Sequence, residues 1–292
     1  MKKIIFALAA LAAAMSVHAG GHYVPGVEGI QAASVPPPGN YYLGYLVDYN
    51  IEQFKAPGTS NDLPGHNTGT VVALANRFVW ISNNKFLGAD FGMETIVPVL
   101  GTSLTINAAA ISESKTGLGD VYLGPLVLGW HGASWDAVAA AGVWFDSASS
   151  STPASPGKGY KSLMLTGGAT YYFDAAKSIS GSALMRYETN SEKSGGFKPG
   201  NQVSLEWGFA KAIGPVQVGV VGYDQVQLTN DSGPGASADK SSRHAIGAEI
   251  VMPILSAGVF LKAAAYKEYQ SQAGTGAEPL GNLLRFTFVK AF

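Results

Sequence analysis

Residues 178–190 read SISGSALMRYETN, and apolar and polar side chains alternate along this stretch. The apolar set is Ile179, Ala183, Met185 and Tyr187, and the polar set is Ser178, Ser180, Ser182, Arg186 and Glu188. Successive side chains of a β-strand point to opposite faces of the sheet, so a period of two predicts a strand with one apolar face. The stretch therefore predicts a strand that separates an apolar environment from a polar one.

The same alternation recurs along most of the chain. At 41–52 the odd positions are apolar or aromatic, whereas the even positions include Asp48 and Glu52. Val203, Leu205 and Trp207 likewise alternate with polar residues. We place twelve strands, at 41–54, 68–81, 86–99, 117–130, 134–146, 159–173, 177–190, 200–211, 215–228, 241–252, 256–270 and 280–292.

The predicted connections alternate between short and long. Those around 82–85, 131–133, 174–176, 212–214 and 253–255 have three or four residues, and those at 55–67, 100–116, 147–158, 191–199, 229–240 and 271–279 have nine to seventeen. This is typical of outer-membrane barrels, which have even strand numbers. The sequence thus predicts an all-β fold, a transmembrane antiparallel β-barrel of about 12 strands with short periplasmic turns and longer extracellular loops. Residues 104–110 are assigned to a long loop, because a thirteenth strand would make the number odd.

The composition excludes several classes of protein. The chain is 47% hydrophobic and only 13% charged, whereas soluble domains average about 25% charged residues. The formal net charge is −1, whereas a nucleic-acid-binding protein typically has a strongly basic surface. Without cysteine there is no disulfide, thiolate nucleophile or cysteine metal site. We expect no cofactor, no metal and no nucleic-acid partner.

The first nineteen residues are typical of a secretory signal peptide. Lys2 and Lys3 form a basic start, 4–15 is an apolar run, and Val17, His18 and Ala19 resemble a cleavage signal. An apolar run of about 12 residues is short for a spanning helix, which needs about 20. We therefore expect export, with a Gly- and Pro-rich segment at 20–40 that either lies in the periplasm or plugs the lumen, followed by the barrel at 41–292.

The C-terminal strand and the aromatic residues near the short turns also favour the outer membrane. Leu284, Phe286, Phe288 and Phe292 share one face, similar to the terminal strand that outer-membrane barrels present to their assembly machinery. Lys290 departs from that pattern, although its aliphatic part can lie along apolar surface. An aromatic girdle is predicted at Trp80, Trp130, Trp135, Tyr171 and Phe173. Expected partners are outer-membrane lipids and the barrel assembly machinery.

Several segments resemble a known bacterial family. They are GHYVPGVEG at 21–29, PPPG at 36–39, RFVWI at 77–81, GLGD at 117–120 with Pro125, GKGY at 157–160, LEWG at 205–208 and GVVGY at 219–223. Together they resemble the outer-membrane family of the meta-pathway of phenol degradation, whose members are often encoded with aromatic-degradation enzymes. The resemblance extends from about residue 20 to 249. It implies uptake of hydrophobic or aromatic compounds and supplies no catalytic residues.

Charged residues on the polar strand faces are candidates for lining a solute pathway. If the apolar faces contact lipid, the charged side chains on the opposite faces point into the lumen. These are Asp48, Glu52, Arg77, Asp90, Glu94, Arg186, Glu188, Glu206 and Lys262, and also Glu268. Opposite charges inside a barrel also pair across strands and simply fill the space. The sequence leaves both interpretations open.

The fourth and fifth predicted strands lack this alternation. Both faces of the fourth are apolar, and 137–143 is uncharged, which predicts an apolar wall suited to apolar solutes. Pro125 lies in the fourth strand and Pro98 in its neighbour. Proline in a sheet is confined to edges, strand ends and bulges, so both mark a local break in pairing. We hypothesise a lateral opening into the membrane there; a bulge that only shapes the barrel is the alternative.

The function predicted from these features is an outer-membrane channel for passive uptake of small hydrophobic or aromatic compounds. A general diffusion porin, a structural surface protein and a phospholipase-like barrel enzyme are alternatives. An enzyme would need a hydroxyl beside a positioned base, and His244 beside Ser241 and Ser242 is the nearest candidate. No third orienting residue and no G-x-S-x-G motif are evident. We therefore expect no catalytic residues and no enzymatic activity.

Overall fold

The computed structural model describes residues 20–292, and the predicted signal peptide lies outside the described residues. Within that range the chain forms thirteen β-strands and two short 3-10 turns. The strands are β1 (Gly39–Lys55), β2 (Asn67–Phe86), β3 (Ala89–Ile106), β4 (Ile111–Leu118), β5 (Tyr122–His131), β6 (Trp135–Trp144), β7 (Ser162–Tyr172), β8 (Ile179–Asn190), β9 (Gln202–Ile213), β10 (Val216–Gln227), β11 (Ser242–Ile254), β12 (Val259–Gln272) and β13 (Glu278–Ala291). In this part of the chain no helix has the length and apolar character needed to cross a membrane.

The strands close into an antiparallel barrel. β1 pairs with β2 on one side and with β13 on the other, and β2 pairs with β3. β3 pairs with β4 through 99–106 and with β5 through 90–96. Because they share β3 as their neighbour, β4 and β5 are two parts of one interrupted barrel strand. The barrel therefore has twelve strands around its circumference, which confirms the predicted fold.

One predicted loop is wrong. Residues 104–110 belong to a hairpin in which β3 continues to Ile106, a 3-10 turn spans Asn107–Ala109, and β4 begins at Ile111. Leu104 and Ile106 are buried against Phe54 and Leu63, and this burial supports the extra length of strand. The number of barrel strands is still even, because the chain is interrupted at 119–121 and β4 and β5 on either side of this interruption count as one barrel strand.

The two ends of the barrel differ as expected for outer-membrane barrels. One end carries tight turns, such as 87–88 and 214–215, and the other carries 56–66, 145–161 and 191–201. At the tight-turn end Trp80, Trp135, Tyr171 and Phe173 are exposed on the outer surface. Leu284, Phe286 and Phe288 of β13 are also exposed on the outer surface. An apolar outer band with aromatics near the turns is the surface that a lipid bilayer contacts.

The two faces of β1 are reversed relative to the prediction. Tyr45, Val47, Tyr49 and Ile51 are buried in a cluster with Ile30 of the N-terminal segment, so the more apolar face points inward. Asp48 and Glu52 therefore face outward. The prediction that they line the lumen is wrong, because the interior at this wall is itself apolar and the polarity of the two faces no longer tells inside from outside.

Candidate functional site

The N-terminal segment, defined here as residues 20–38, lies inside the barrel. Its backbone N–H groups donate to carboxylates of the wall: Ile30 to Glu249 at 2.6 Å and Glu28 to Glu206 at 3.0 Å. His22 donates to Glu188 at 3.1 Å. The segment is irregular and bonds few of its own backbone groups to one another, so these carboxylates satisfy several of its backbone N–H groups in the interior.

A charged cluster joins this segment to opposite walls of the barrel; it consists of Glu28, Arg77, Glu94 and Arg186. The Glu28 carboxylate accepts from Arg77 at 2.8 Å and from Arg186 at 2.9 Å. Arg77 also donates through Nε to Glu94 at 2.7 Å. Burial alone raises the pKa of the Glu28 carboxyl, but the guanidinium groups of Arg77 and Arg186 outweigh it and lower the pKa to about 2. Glu28 is thus an ionised bridge between two arginines.

On the long-loop side of the charged cluster lies the outer cavity, with a volume of about 240 Å³. The inward faces of β1, β2 and β3 give it an apolar wall that includes Val47, Val71, Ala73, Ile96 and Leu100. The loop at 145–161 contributes Pro153, Pro156 and Lys158. The volume exceeds the roughly 150 Å³ that is known to hold benzene in an apolar protein cavity.

On the tight-turn side lies the inner cavity, with a volume of about 520 Å³. Its wall includes Leu43, Val79, Val127, Val138 and Ala140, and the N-terminal segment contributes 30–37. Val127, Val138 and Ala140 come from β5 and β6, the strands for which an apolar inner wall was predicted. Glu28, Arg77, Glu94 and Arg186 line both cavities, so the charged cluster is the boundary between them.

Most of the other predicted lumen residues point inward and have partners. Glu188 and Glu206 bind the N-terminal segment, Lys262 lines the inner cavity, and Glu268 accepts from Tyr49 at 2.7 Å. Asp90 lies near the tight turns, ion-paired with Lys85 and His131. Glu52 is exposed and pairs with Lys267 on the outer surface. The lumen charges thus form a largely self-satisfied network.

The sequence analysis missed several members of this network. They are Glu28, Arg243, Glu249, Glu278 and Arg285. Arg285 is fully buried and pairs with Glu249, and Arg243 pairs with Glu278 at 3.0 Å. Arg285 stands between Leu284 and Phe286, which face outward, and this alternation was a usable signal. Glu28 lies in an irregular segment, where no periodicity exists to place it.

Pro98 and Pro125 occupy a local break in the barrel wall. Pro98 lies between the parts of β3 that pair with β4 and with β5, and its carbonyl accepts from Gly119 at 2.8 Å. Pro125 lies within the register shifts of β5 against both β3 and β6. Pro98 also lines the outer cavity. The strand interruption therefore adjoins the lumen.

His244 lies on the outward face of β11 and contacts Asp224 at 2.6 Å. An orienting carboxylate that the sequence did not reveal is thus present. Ser242 shares the face of His244 but makes no hydrogen bond to it, and within 20–292 Asp224 is the only side chain that hydrogen-bonds to His244. A serine-histidine nucleophile needs that contact. The described residues also contain no group of three His, Asp or Glu side chains suited to a metal ion.

A closed twelve-stranded antiparallel barrel with an apolar outer band and cavities along its lumen defines a protein of the outer-membrane β-barrel class. The chain belongs to the family described as "Putative MetA-pathway of phenol degradation", whose model matches residues 54–286. This confirms the resemblance found in the sequence. No curated protein sequence matches the chain.

Solved structures support the same fold at low sequence identity. An outer-membrane channel from Pseudomonas putida F1 is similar with a TM-score of 0.77 and 12% identity, covering 93% of this chain and 100% of that chain. The transport unit of the autotransporter AIDA-I from Escherichia coli gives a TM-score of 0.53 and 10% identity, covering 97% and 98%. At these identities the comparison concerns the fold.

Proposed function

We propose that this protein is an outer-membrane channel for the passive uptake of small hydrophobic or aromatic compounds. The observation that carries the proposal is the pair of apolar-walled cavities inside a closed barrel, separated by the charged cluster. Membership of a family described by phenol degradation supports the aromatic class of solute. The similar channel from Pseudomonas putida F1 supports transport as the activity.

The lumen favours this function over a general diffusion porin. A porin maintains a polar, water-filled interior, whereas apolar side chains of β1, β2 and β3 wall the outer cavity here and the N-terminal segment occupies the lumen. Apolar pockets with a few polar groups are typical of sites for small organic molecules. Among the described residues neither Ser241 nor Ser242 hydrogen-bonds to His244, so the phospholipase alternative has no activated nucleophile, and we propose a non-enzymatic role.

The proposal includes a location and a route. After export, the apolar band contacts outer-membrane lipid, and the C-terminal strand is the element that the assembly machinery recognises. The solute enters the outer cavity between the long loops. The wall interruption at Pro98 and Pro125 is the lateral exit, because there β4 and β5 leave the pairing of the wall incomplete.

Uptake by a deletion strain tests the function. Cells lacking the protein, complemented with the intact chain or with empty vector, are given labelled phenol or benzoate and, in parallel, a labelled sugar of similar size. Complementation should restore uptake of the aromatic solutes several-fold and leave sugar uptake unchanged. Equal restoration of both solutes would instead indicate a porin, and restoration of neither would indicate a structural protein.

A further inference from the structure

One lysine of the outer cavity has no carboxylate within ion-pairing distance among the described residues. Lys158 lies in the long loop at 145–161, and its ammonium group makes one hydrogen bond, to the carbonyl oxygen of Gly20 at 3.3 Å. Among residues 20–292 it forms no ion pair with a carboxylate. An ammonium group has three N–H donors, so two of them have no acceptor on the described chain.

Carboxylates near Lys158 are already engaged elsewhere. Asp120 accepts from the backbone N–H groups of Ser147, Ala148 and Lys158 itself at 2.7 to 2.9 Å and contacts His22. The Glu188 carboxylate accepts from the backbone of His22 and Tyr23. The Glu278 carboxylate pairs with Arg243. Each of these acidic groups has at least one other donor, and among the described residues none of them lies within ion-pairing distance of the Lys158 ammonium group; Glu188 and Glu278 attract it only at longer range.

A second donor without an acceptor lines the same cavity. Trp144 is 6% exposed, and its indole Nε1 has no hydrogen-bond partner among the described residues. An indole N–H is only a donor, and an unsatisfied buried donor carries a free-energy cost that a ligand oxygen removes. Trp144 stacks on His22 with 5.6 Å between ring centroids. His22 in turn contacts Tyr160, whose hydroxyl donates to the same Gly20 carbonyl oxygen as Lys158.

The complement of this site is a flat, apolar molecule that carries an anionic oxygen. The apolar wall from β1, β2 and β3 favours a planar ring, and the free N–H groups of Lys158 and Trp144 favour an oxygen acceptor. A charge-assisted hydrogen bond to a carboxylate is about twice as strong as a neutral one. We propose that Lys158 and Trp144 form a recognition site for small aromatic carboxylates in the outer cavity. This site rests on the proposed function and narrows its substrate class.

Benzoate and benzamide test the site, because they have nearly the same shape and differ in charge. Binding is measured by calorimetry with the full chain in lipid nanodiscs, against empty nanodiscs. The intact protein should bind benzoate at least about tenfold more tightly than benzamide. Lys158→Met should bring the two affinities within about twofold, and Lys158→Arg should keep the preference. The matched control is Lys240→Met, because Lys240 is exposed and its ammonium group bonds, within the described part of the chain, only to the Leu228 carbonyl.

The variant Trp144→Phe distinguishes the contribution of the indole N–H donor from that of the aromatic ring. It should weaken benzoate binding several-fold, because the ring is retained and the N–H is lost. A benzoate preference that survives Lys158→Met, or equal binding of both probes by the intact protein, would overturn the site. After such a result, the proposed channel function is still supported if complemented cells take up benzoate. Uptake that does not depend on the protein at all would reject channel function, whatever the calorimetry shows.

Discussion

Glu28 is the single carboxylate that links the N-terminal segment to two arginines on the barrel wall. Its replacement by Gln preserves the shape of the side chain and removes the charge that Arg77 and Arg186 share. Two buried guanidinium groups then lose their bridge, and such a loss is costly in a desolvated site. We expect Glu28→Gln to raise the conductance of single channels in planar bilayers several-fold. Glu192→Gln, at an exposed loop position, is the control and should leave the conductance unchanged.

The pKa of Glu28 sets the pH range of this effect. Because the pKa is lowered to about 2 from an ordinary 4.5, the ionised bridge stabilises the docked segment fully above about pH 4.5. That stabilisation is lost as the pH falls through about 2. The difference in conductance between the intact channel and Glu28→Gln should therefore be the same at pH 5 and pH 8 and should disappear only in strong acid. A difference between the two proteins that changes with a midpoint near pH 6 would contradict the assignment to Glu28.

At the scale of strands, the break between β4 and β5 is the feature with a functional consequence. Proline has no N–H to donate to a neighbouring strand, and Pro98 and Pro125 lie at the interruption and at the bulge beside it. The double replacement Pro98→Val and Pro125→Val restores both donors. If solutes leave sideways, aromatic uptake by complemented cells should fall several-fold. Pro234→Val, in an exposed loop, is the matched control.

Unchanged aromatic uptake by the double Pro→Val variant would remove the lateral exit and leave the bulge as a shaping element. The fold of the variant is checked by its electrophoretic mobility with and without heating. A barrel that resists unfolding until heated shows that the variant is folded, so a loss of uptake is then not a folding defect.

Elements were predictable from the sequence where one strand face was clearly polar. β8 and β9 alternate between inward Glu188 or Glu206 and outward apolar residues, and their orientation followed directly. The inward face of β1 was predicted wrongly because Val47 and Ile51 pack on Ile30, which lies far from them in sequence. The extension of β3 to Ile106 was not predicted for a similar reason, because Leu104 is buried in a cluster with Leu63 from another loop. Periodicity reports the contrast between two faces and not which face is inside.

At the scale of the whole molecule, one segment of the chain explains both the apolar interior and the clustered charges. The N-terminal segment brings Ile30 against β1 and Glu28 against two arginines. Its backbone donors occupy Glu188, Glu206 and Glu249. Interior carboxylates that resemble a polar solute path in the sequence are thus largely ligands for this segment.

Deletion of residues 20–38 tests that organisation. The strands pair with one another through their own backbones, so the barrel should still assemble and show heat-modifiable mobility. Without the segment, the outer and inner cavities join and the charged cluster loses Glu28. Conductance in planar bilayers should rise more than with Glu28→Gln alone, and sugars should then permeate. Deletion of the loop residues 233–237, which lie outside the barrel wall, is the control for the effect of removing residues that do not occupy the lumen. A truncated barrel that conducts no more than the intact one would show that the segment does not obstruct the lumen.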